Sequence, residues 1–224
     1  MKLFIIHGWT YTVEPWATTL AQLKQAGHQV KMLHVPGLTE PSSKVYTIED
    51  YTNWADRNIP DGAIALGHSN GGRILLNLCS KKPEKLKHLI LLDAAGVYEE
   101  SKKRDLSRKL SKTLAPLKKI KPLQKVVHRL LGASDYDRAP ANMKQTLSNM
   151  LDSDKKLQLE HITTPATILW GDADTVTPLR QAKVMHQKIS GSRLIVKKGW
   201  THAPYISDPT GLAKAIHTIL KELG

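Results

Sequence analysis

Two hydrophobic patterns alternate along the chain. Short runs of adjacent apolar residues, KLFII (2–6), GAIALG (62–67), LKHLILL (86–92), ATILWG (166–171) and RLIV (193–196), are separated by longer stretches where apolar residues recur every three or four positions. A further run, HQVKMLHVPG (28–37), follows the first of these stretches. Each run is strand-length and bounded by glycine, proline or charge, so it reads as a β-strand. Runs with little alternation predict strands covered on both faces, as in a parallel sheet flanked by helices. The longer stretches predict helices over PWATTLAQLKQAG (15–27), TIEDYTNWADRNI (47–59), GGRILLNLCSKKP (71–83), TPLRQAKVMHQKIS (177–190) and PTGLAKAIHTILKEL (209–223). Pro15 suits a first helical turn, Gly27 a C-terminal cap and Thr47 an N-cap. The expected fold is therefore α/β, a doubly wound, six-stranded parallel sheet with helices on both faces.

One stretch breaks the alternation. From 98 to 160 no strand is apparent. Leu117, Ile120, Leu123, Val126, Val127, Leu130 and Leu131 fall at helical spacing, and so do Met143, Leu147, Met150 and Leu151. About three amphipathic helices are expected there, as a helical cap or lid inserted between two halves of a core, 1–97 and 161–224.

Composition narrows the class. The chain has 224 residues, 41% of them hydrophobic, which fits one globular domain with an insert. No stretch reaches the length of a bilayer-crossing helix, and the N-terminus lacks the long apolar segment of a signal peptide. A single cysteine, Cys79, excludes an intrachain disulfide and paired-cysteine metal sites, and its place in RILLNLCS predicts a buried helix residue. The expected location is the cytoplasm, with no membrane span. The net charge of +13 is concentrated between Lys102 and Arg129. No aromatic residues interleave with those cations, as a surface for single-stranded nucleic acid requires, so solvated helix faces are expected and nucleic acid is not an expected partner.

In an open α/β sheet, ligands bind beyond the carboxyl ends of the strands. The residues there are His7-Gly8-Trp9, Gly67-His68-Ser69-Asn70-Gly71, Asp93, Gly171-Asp172-Ala173-Asp174 and Gly199-Trp200-Thr201-His202. A G-x-S-x-G pattern arises by chance in roughly one chain in fifteen of this length. Between a buried strand and an amphipathic helix it says more. A strand turning at once into a helix strains the corner residue, and Gly67 and Gly71 remove the side chains that would collide. A serine held there projects at a helix N-terminus, where negative charge is favoured. Serine needs a base, and the base an acid. Asp174 is favoured over Asp172, which suits the turn itself, and over Asp93, expected to be structural. Among ten histidines, His202 lies in a loop after the last strand. His7 and His68 flank the site as hydrogen-bonding supports. His28, His88, His128, His186 and His217 fall at strand starts or in helices and are expected to be exposed. The backbone N–H groups of Trp9 and Asn70 are the expected oxyanion donors, and the side chains of both are expected to shape the acyl pocket.

The motifs HGW, GHSNGG, WGDADTVTP and GWTHAP, in that order across nearly the whole chain, resemble the α/β-hydrolase family, in particular its lidded, serine-nucleophile esterases. The resemblance carries the family's nucleophile, acid and base onto Ser69, Asp174 and His202. It also implies that this chain lacks the first two strands of larger members, leaving six parallel strands. Thr201 stands where glycine more often precedes the histidine. The implied activity is hydrolysis of a carboxylic ester in a small-molecule acyl substrate, with no cofactor and no metal. Thioesters, small amides or peptides and C–C bonds yield to the same machinery. Two further classes fit these residues: a ligand receptor that retains the triad, and a basic-surface binding protein.

Overall fold

A computed structural model of the chain describes residues 1–98 and 139–224. Its centre is a six-stranded sheet in the order β2-β1-β3-β4-β5-β6, every neighbouring pair parallel. The strands are β1 (Lys2–Ile6), β2 (Gln29–Leu33), β3 (Ala63–His68), β4 (Leu86–Leu92), β5 (Ala166–Gly171) and β6 (Arg193–Lys197). The order grows outward in opposite directions from β1 and β3, so the topological switch point lies between them.

Because side chains alternate across a strand, the sheet feeds two cores. Leu3, Ile5, Ile64, Leu66, Ile90, Leu92 and Leu169 point to one face, where α1 (Ala17–Gln25) and the last helix, α6 (Pro209–Glu222), cover them. Phe4, Ile6, Ala65, Leu89, Leu91, Ile168 and Trp170 point to the other, under α2 (Ile48–Asn58), α3 (Asn70–Lys81), α4 (Ala141–Ser153) and α5 (Leu179–Lys188). Continuous burial holds for the interior strands. The edge strands β2 and β6 differ: they leave Gln29, Lys31 and Arg193 in solvent. Each lacks a neighbour on one side, and charge there blocks further strand pairing.

Local sequence accounts for the helix boundaries. Thr47 caps α2 through a reciprocal pair with Asp50. Gly27, at φ 84°, closes the turn after α1. Nine of the twelve residues of α3 are buried, Cys79 among them, which makes it the central helix of its layer.

Of the expected insert helices, α4 is within the described residues. Met143, Leu147, Met150 and Leu151 face the core, as their spacing requires. Its polar side is tied to the loop before α2: Thr146 Oγ1 accepts from Tyr46 N at 2.9 Å, and Asn149 Nδ2 donates to Tyr46 O at 2.9 Å. The helical stretch 117–131, His128 and the basic cluster from Lys102 to Arg129 lie outside the described residues.

Candidate active site

The carboxyl ends of β1, β3, β4 and β5 and the loop after β6 meet at the switch point. Strand β3 ends at His68 and α3 begins at Asn70, leaving Ser69 alone to make the corner. Ser69 has φ 51° and ψ −117°, a conformation costly for a residue with a Cβ. A Cβ on Gly67 would lie 2.6 Å from Gly72 Cα, and one on Gly71 would press on the carbonyl of Ile6. The opposing atoms are backbone of β1 and α3, which cannot swing aside. We therefore expect Gly71→Ala to lower stability by about 3 kcal/mol or more, read as a drop in the urea midpoint. An unchanged midpoint contradicts this close approach.

His202 bridges serine and acid. Its Nε2 is 3.0 Å from Ser69 Oγ and its Nδ1 is 2.8 Å from Asp174 Oδ2. With the proton on Nδ1, the ring donates to the carboxylate and accepts the serine hydroxyl. Asp174 is held by its own loop: Oδ1 accepts from Val176 N at 2.6 Å and Thr177 N at 3.0 Å, and Oδ2 accepts from Thr177 Oγ1 at 2.7 Å. Burial pushes the Asp174 carboxyl up, but the hydrogen bond and charge of His202 and the Thr177 and Val176 donors hold it below the usual range.

The supporting histidines are neutral. His68 donates from Nε2 to His202 O at 2.8 Å, fixing the loop that carries the imidazole. Burial, then the neighbouring His202, pushes its pKa down to about 3. His7 donates from Nδ1 to Gly8 O at 2.7 Å and accepts the Thr39 hydroxyl at 2.8 Å. Burial lowers it to about 4. Asp172 sits in the turn, accepting from Gly199 N at 2.7 Å. Asp93 Oδ1 accepts from Gly171 N at 2.9 Å, and not from His202.

The Asn70 N–H opens a helix and so has no intrahelical acceptor. Among the turns and loops of the described residues, neither Trp9 N nor Asn70 N has a backbone acceptor. Both follow strand ends that flank Ser69.

The Alpha/beta hydrolase family matches residues 3–215. The chain belongs to the α/β-hydrolase family. It is 26% identical to the pimeloyl-[acyl-carrier protein] methyl ester esterase of Neisseria meningitidis serogroup C, over 95% of this chain and 90% of that one. It is 22% identical to the protein of the same name from Aromatoleum aromaticum, over 98% of each. Among solved structures, it is similar to MGS-MChE2, an α/β-hydrolase enzyme from the metagenome of lagoon sediments at Mar Chica, Morocco. That likeness has a TM-score of 0.70 and 20% identity, covering 99% of this chain and 91% of the other.

Within this α/β-hydrolase, three arrangements differ from expectation or add to it. The Asn70 side chain does not simply line a pocket: its Oδ1 accepts from Arg73 Nη1 at 2.6 Å. Arg73 in turn grips Asp154, just past α4, through Nε at 2.7 Å and Nη2 at 3.0 Å. An arginine in the apolar helix GGRILL signals a buried partner, but nothing local to it points to an acid 81 positions away. Side-chain exposures of 4% and 9% leave this pair almost dry. Asp154→Ala strands the guanidinium, and we expect a loss of about 3–5 kcal/mol, measured by chemical denaturation.

Thr177, expected to start α5, instead binds Asp174 and lies 3.2 Å from His202 Nδ1. The third difference concerns His28 and His88, which are buried rather than exposed. His28 Nε2 is 2.8 Å from His217 Nδ1, and His88 Nε2 is 2.9 Å from Thr167 Oγ1. Each sits where a strand start is covered by a neighbouring helix or strand.

Proposed function

We propose that the protein is a serine hydrolase that cleaves a carboxylic ester through an acyl-enzyme, with Ser69 as nucleophile, His202 as base and Asp174 as its orienting acid. The observation that carries this reading is the unbroken relay from Ser69 Oγ to His202 at 3.0 Å and on to Asp174 at 2.8 Å. Ser69 Oγ attacks the ester carbonyl while His202 Nε2 takes its proton. Charge accumulates on the carbonyl oxygen, where the Trp9 and Asn70 N–H groups stabilise it, each worth about 10²–10³ in rate. His202 returns the proton to the leaving alcohol. Water then repeats the sequence on the acyl-enzyme and frees Ser69. Every proton transfer stays on Ser69, His202, the alcohol and water.

The names of the esterase relatives favour an ester over an amide and put methyl esters of acyl chains first among substrates to try. Residues 98–160 serve in this reading as a cap over the acyl site. A cytoplasmic location is supported by the lone cysteine; among the described residues, no helix is long and apolar enough to cross a membrane.

The test is covalent. A fluorophosphonate probe labels the folded protein once, at the peptide holding Ser69, and labelling disappears in Ser69→Ala. A panel of methyl and p-nitrophenyl esters of increasing chain length, with thioesters and amides beside them, then ranks substrates. Labelling elsewhere, or none in folded protein, overturns the assignment.

A further inference from the structure

Asp93 follows β4, between the strand that delivers Ser69 and the strand that delivers Asp174. Among the described residues, it and Ser69 are the two non-glycine residues with positive φ, and Asp93 has φ 43°. It is completely buried, with 0% exposure. The strained backbone is locked from three sides. Asp93 N donates to Leu169 O at 3.1 Å, Oδ1 accepts from Gly171 N at 2.9 Å, and the main-chain carbonyl accepts the Thr177 hydroxyl at 3.0 Å. The other carboxyl oxygen, Oδ2, has no hydrogen-bond partner.

The ionisable groups acting on the Asp93 carboxyl are Asp174, through its charge and its hydrogen-bonding oxygens, and the phenol of Tyr205, which burial first, and a charge on Asp93 after it, hold above its usual range. Among the described residues, no lysine, arginine or histidine pairs with Asp93. An ionised Asp93 would be a dry carboxylate next to a second carboxylate, with no cation of its own, which is prohibitively costly. Burial first, and the charge of Asp174 after it, push the Asp93 pKa well above the usual carboxylate range. The Thr177 hydroxyl has one proton but two acceptors within reach, Asp93 O at 3.0 Å and Asp174 Oδ2 at 2.7 Å. It cannot serve both fully. A proton on Asp93 Oδ2 removes both deficits: the orphaned oxygen becomes a donor, and Asp174 gains one.

We propose that Asp93 is a positioning residue for the hydrolysis described above: a neutral carboxyl that hydrogen-bonds through Oδ2–H to the Asp174 carboxylate and fixes it for His202. The role in catalysis rests on the Ser69–His202–Asp174 reading; the protonation state does not. One carboxyl is kept neutral as a donor so that its neighbour stays an anionic acceptor, and the φ 43° backbone holds that donor in place.

Two measurements separate these claims. In protein carrying ¹³C-carboxyl aspartate, the Asp93 resonance, assigned by its absence in Asp93→Asn, has the shift of a protonated carboxyl at pH 7, while Asp174 is ionised. An ionised Asp93 at pH 7 overturns the proposal, whatever the enzyme hydrolyses. In kinetics, Asp93→Ala lowers kcat about 10- to 100-fold at unchanged KM, the worth of one hydrogen bond to a charged group. Asp93→Asn keeps an oxygen for Gly171 N–H and supplies an N–H to Asp174, so it recovers all but a few-fold of that loss. The low-field proton signal of His202 Nδ1 shifts in Asp93→Ala and returns in Asp93→Asn. If Asp93→Asn falls as far as Asp174→Asn, Asp93 is an ionised acid and the proposal fails. If Asp93→Ala does not fold, the carboxyl resonance and the Asp93→Asn kinetics still decide. Failure of the hydrolase reading looks different: the parent protein turns over no ester and takes no fluorophosphonate, with the Asp93 resonance unaffected.

Discussion

Ser69→Ala lowers kcat by about 10⁶-fold, with little change in KM and little change in stability. The size of the loss follows from the role proposed for the hydroxyl. Without Oγ there is no acyl-enzyme, and His202 and Asp174 are left with no nucleophile to activate. The remaining rate comes from substrate binding and the two backbone donors, which together leave about 10³–10⁴ over water. Stability is spared because the strain at φ 51° belongs to the backbone and Cβ, which alanine shares with serine. The hydroxyl's partner, His202, keeps its bond to Asp174 and its carbonyl bond to His68. Steady-state hydrolysis of a p-nitrophenyl ester, with thermal unfolding of the same samples, checks both halves. A variant that keeps more than about 1% of the activity while folded places the nucleophile elsewhere, since a positioned nucleophile supplies far more than a hundredfold.

Much of this site is legible in the sequence because its parts are local. The elbow is five consecutive residues, and its glycines at 67 and 71 answer to steric contacts with β1 and α3 that any strand-to-helix corner imposes. Interior strands are readable for the same reason: LILL and ATILWG are buried at every position and almost wholly apolar, because both faces are covered. The edges depart from this, since QVKML carries the alternation of a half-exposed strand and RLIVK is no more than partly buried along its length. Long-range polar partnerships are not encoded in any local pattern. Arg73 and Asp154, His28 and His217, and Asn142 with the carbonyl of Ser42 are each set by how elements meet in space. A histidine paired 189 positions away has the same local sequence as one facing water. Asp93 shows the limit most sharply: the chain places it at a strand end beside rival acids, but only its burial and its orphaned Oδ2 distinguish a donor from an acid.

Asp174→Asn lowers kcat by about 10⁴-fold, and the loop around it dictates how. Oδ1 accepts two backbone N–H groups, from Val176 and Thr177. An amide at this position must keep its carbonyl oxygen there, because turning NH₂ toward those donors would set donor against donor in a buried loop. The NH₂ group is therefore forced into the place of Oδ2, facing His202 Nδ1. It donates to that nitrogen, so the ring must carry its proton on Nε2. Nε2–H cannot accept from Ser69, and the base is lost although every heavy atom stays in place. The negative charge that stabilises a protonated His202 goes with it. Nitrogen NMR of His202 reads the change of tautomer directly, and the kcat loss should accompany it at unchanged fluorescence and unfolding midpoint. A loss below about a hundredfold, with the tautomer unchanged, means that another carboxylate orients the ring. Asp93 is then the first to test, because it lies against Asp174 and shares Thr177 with it.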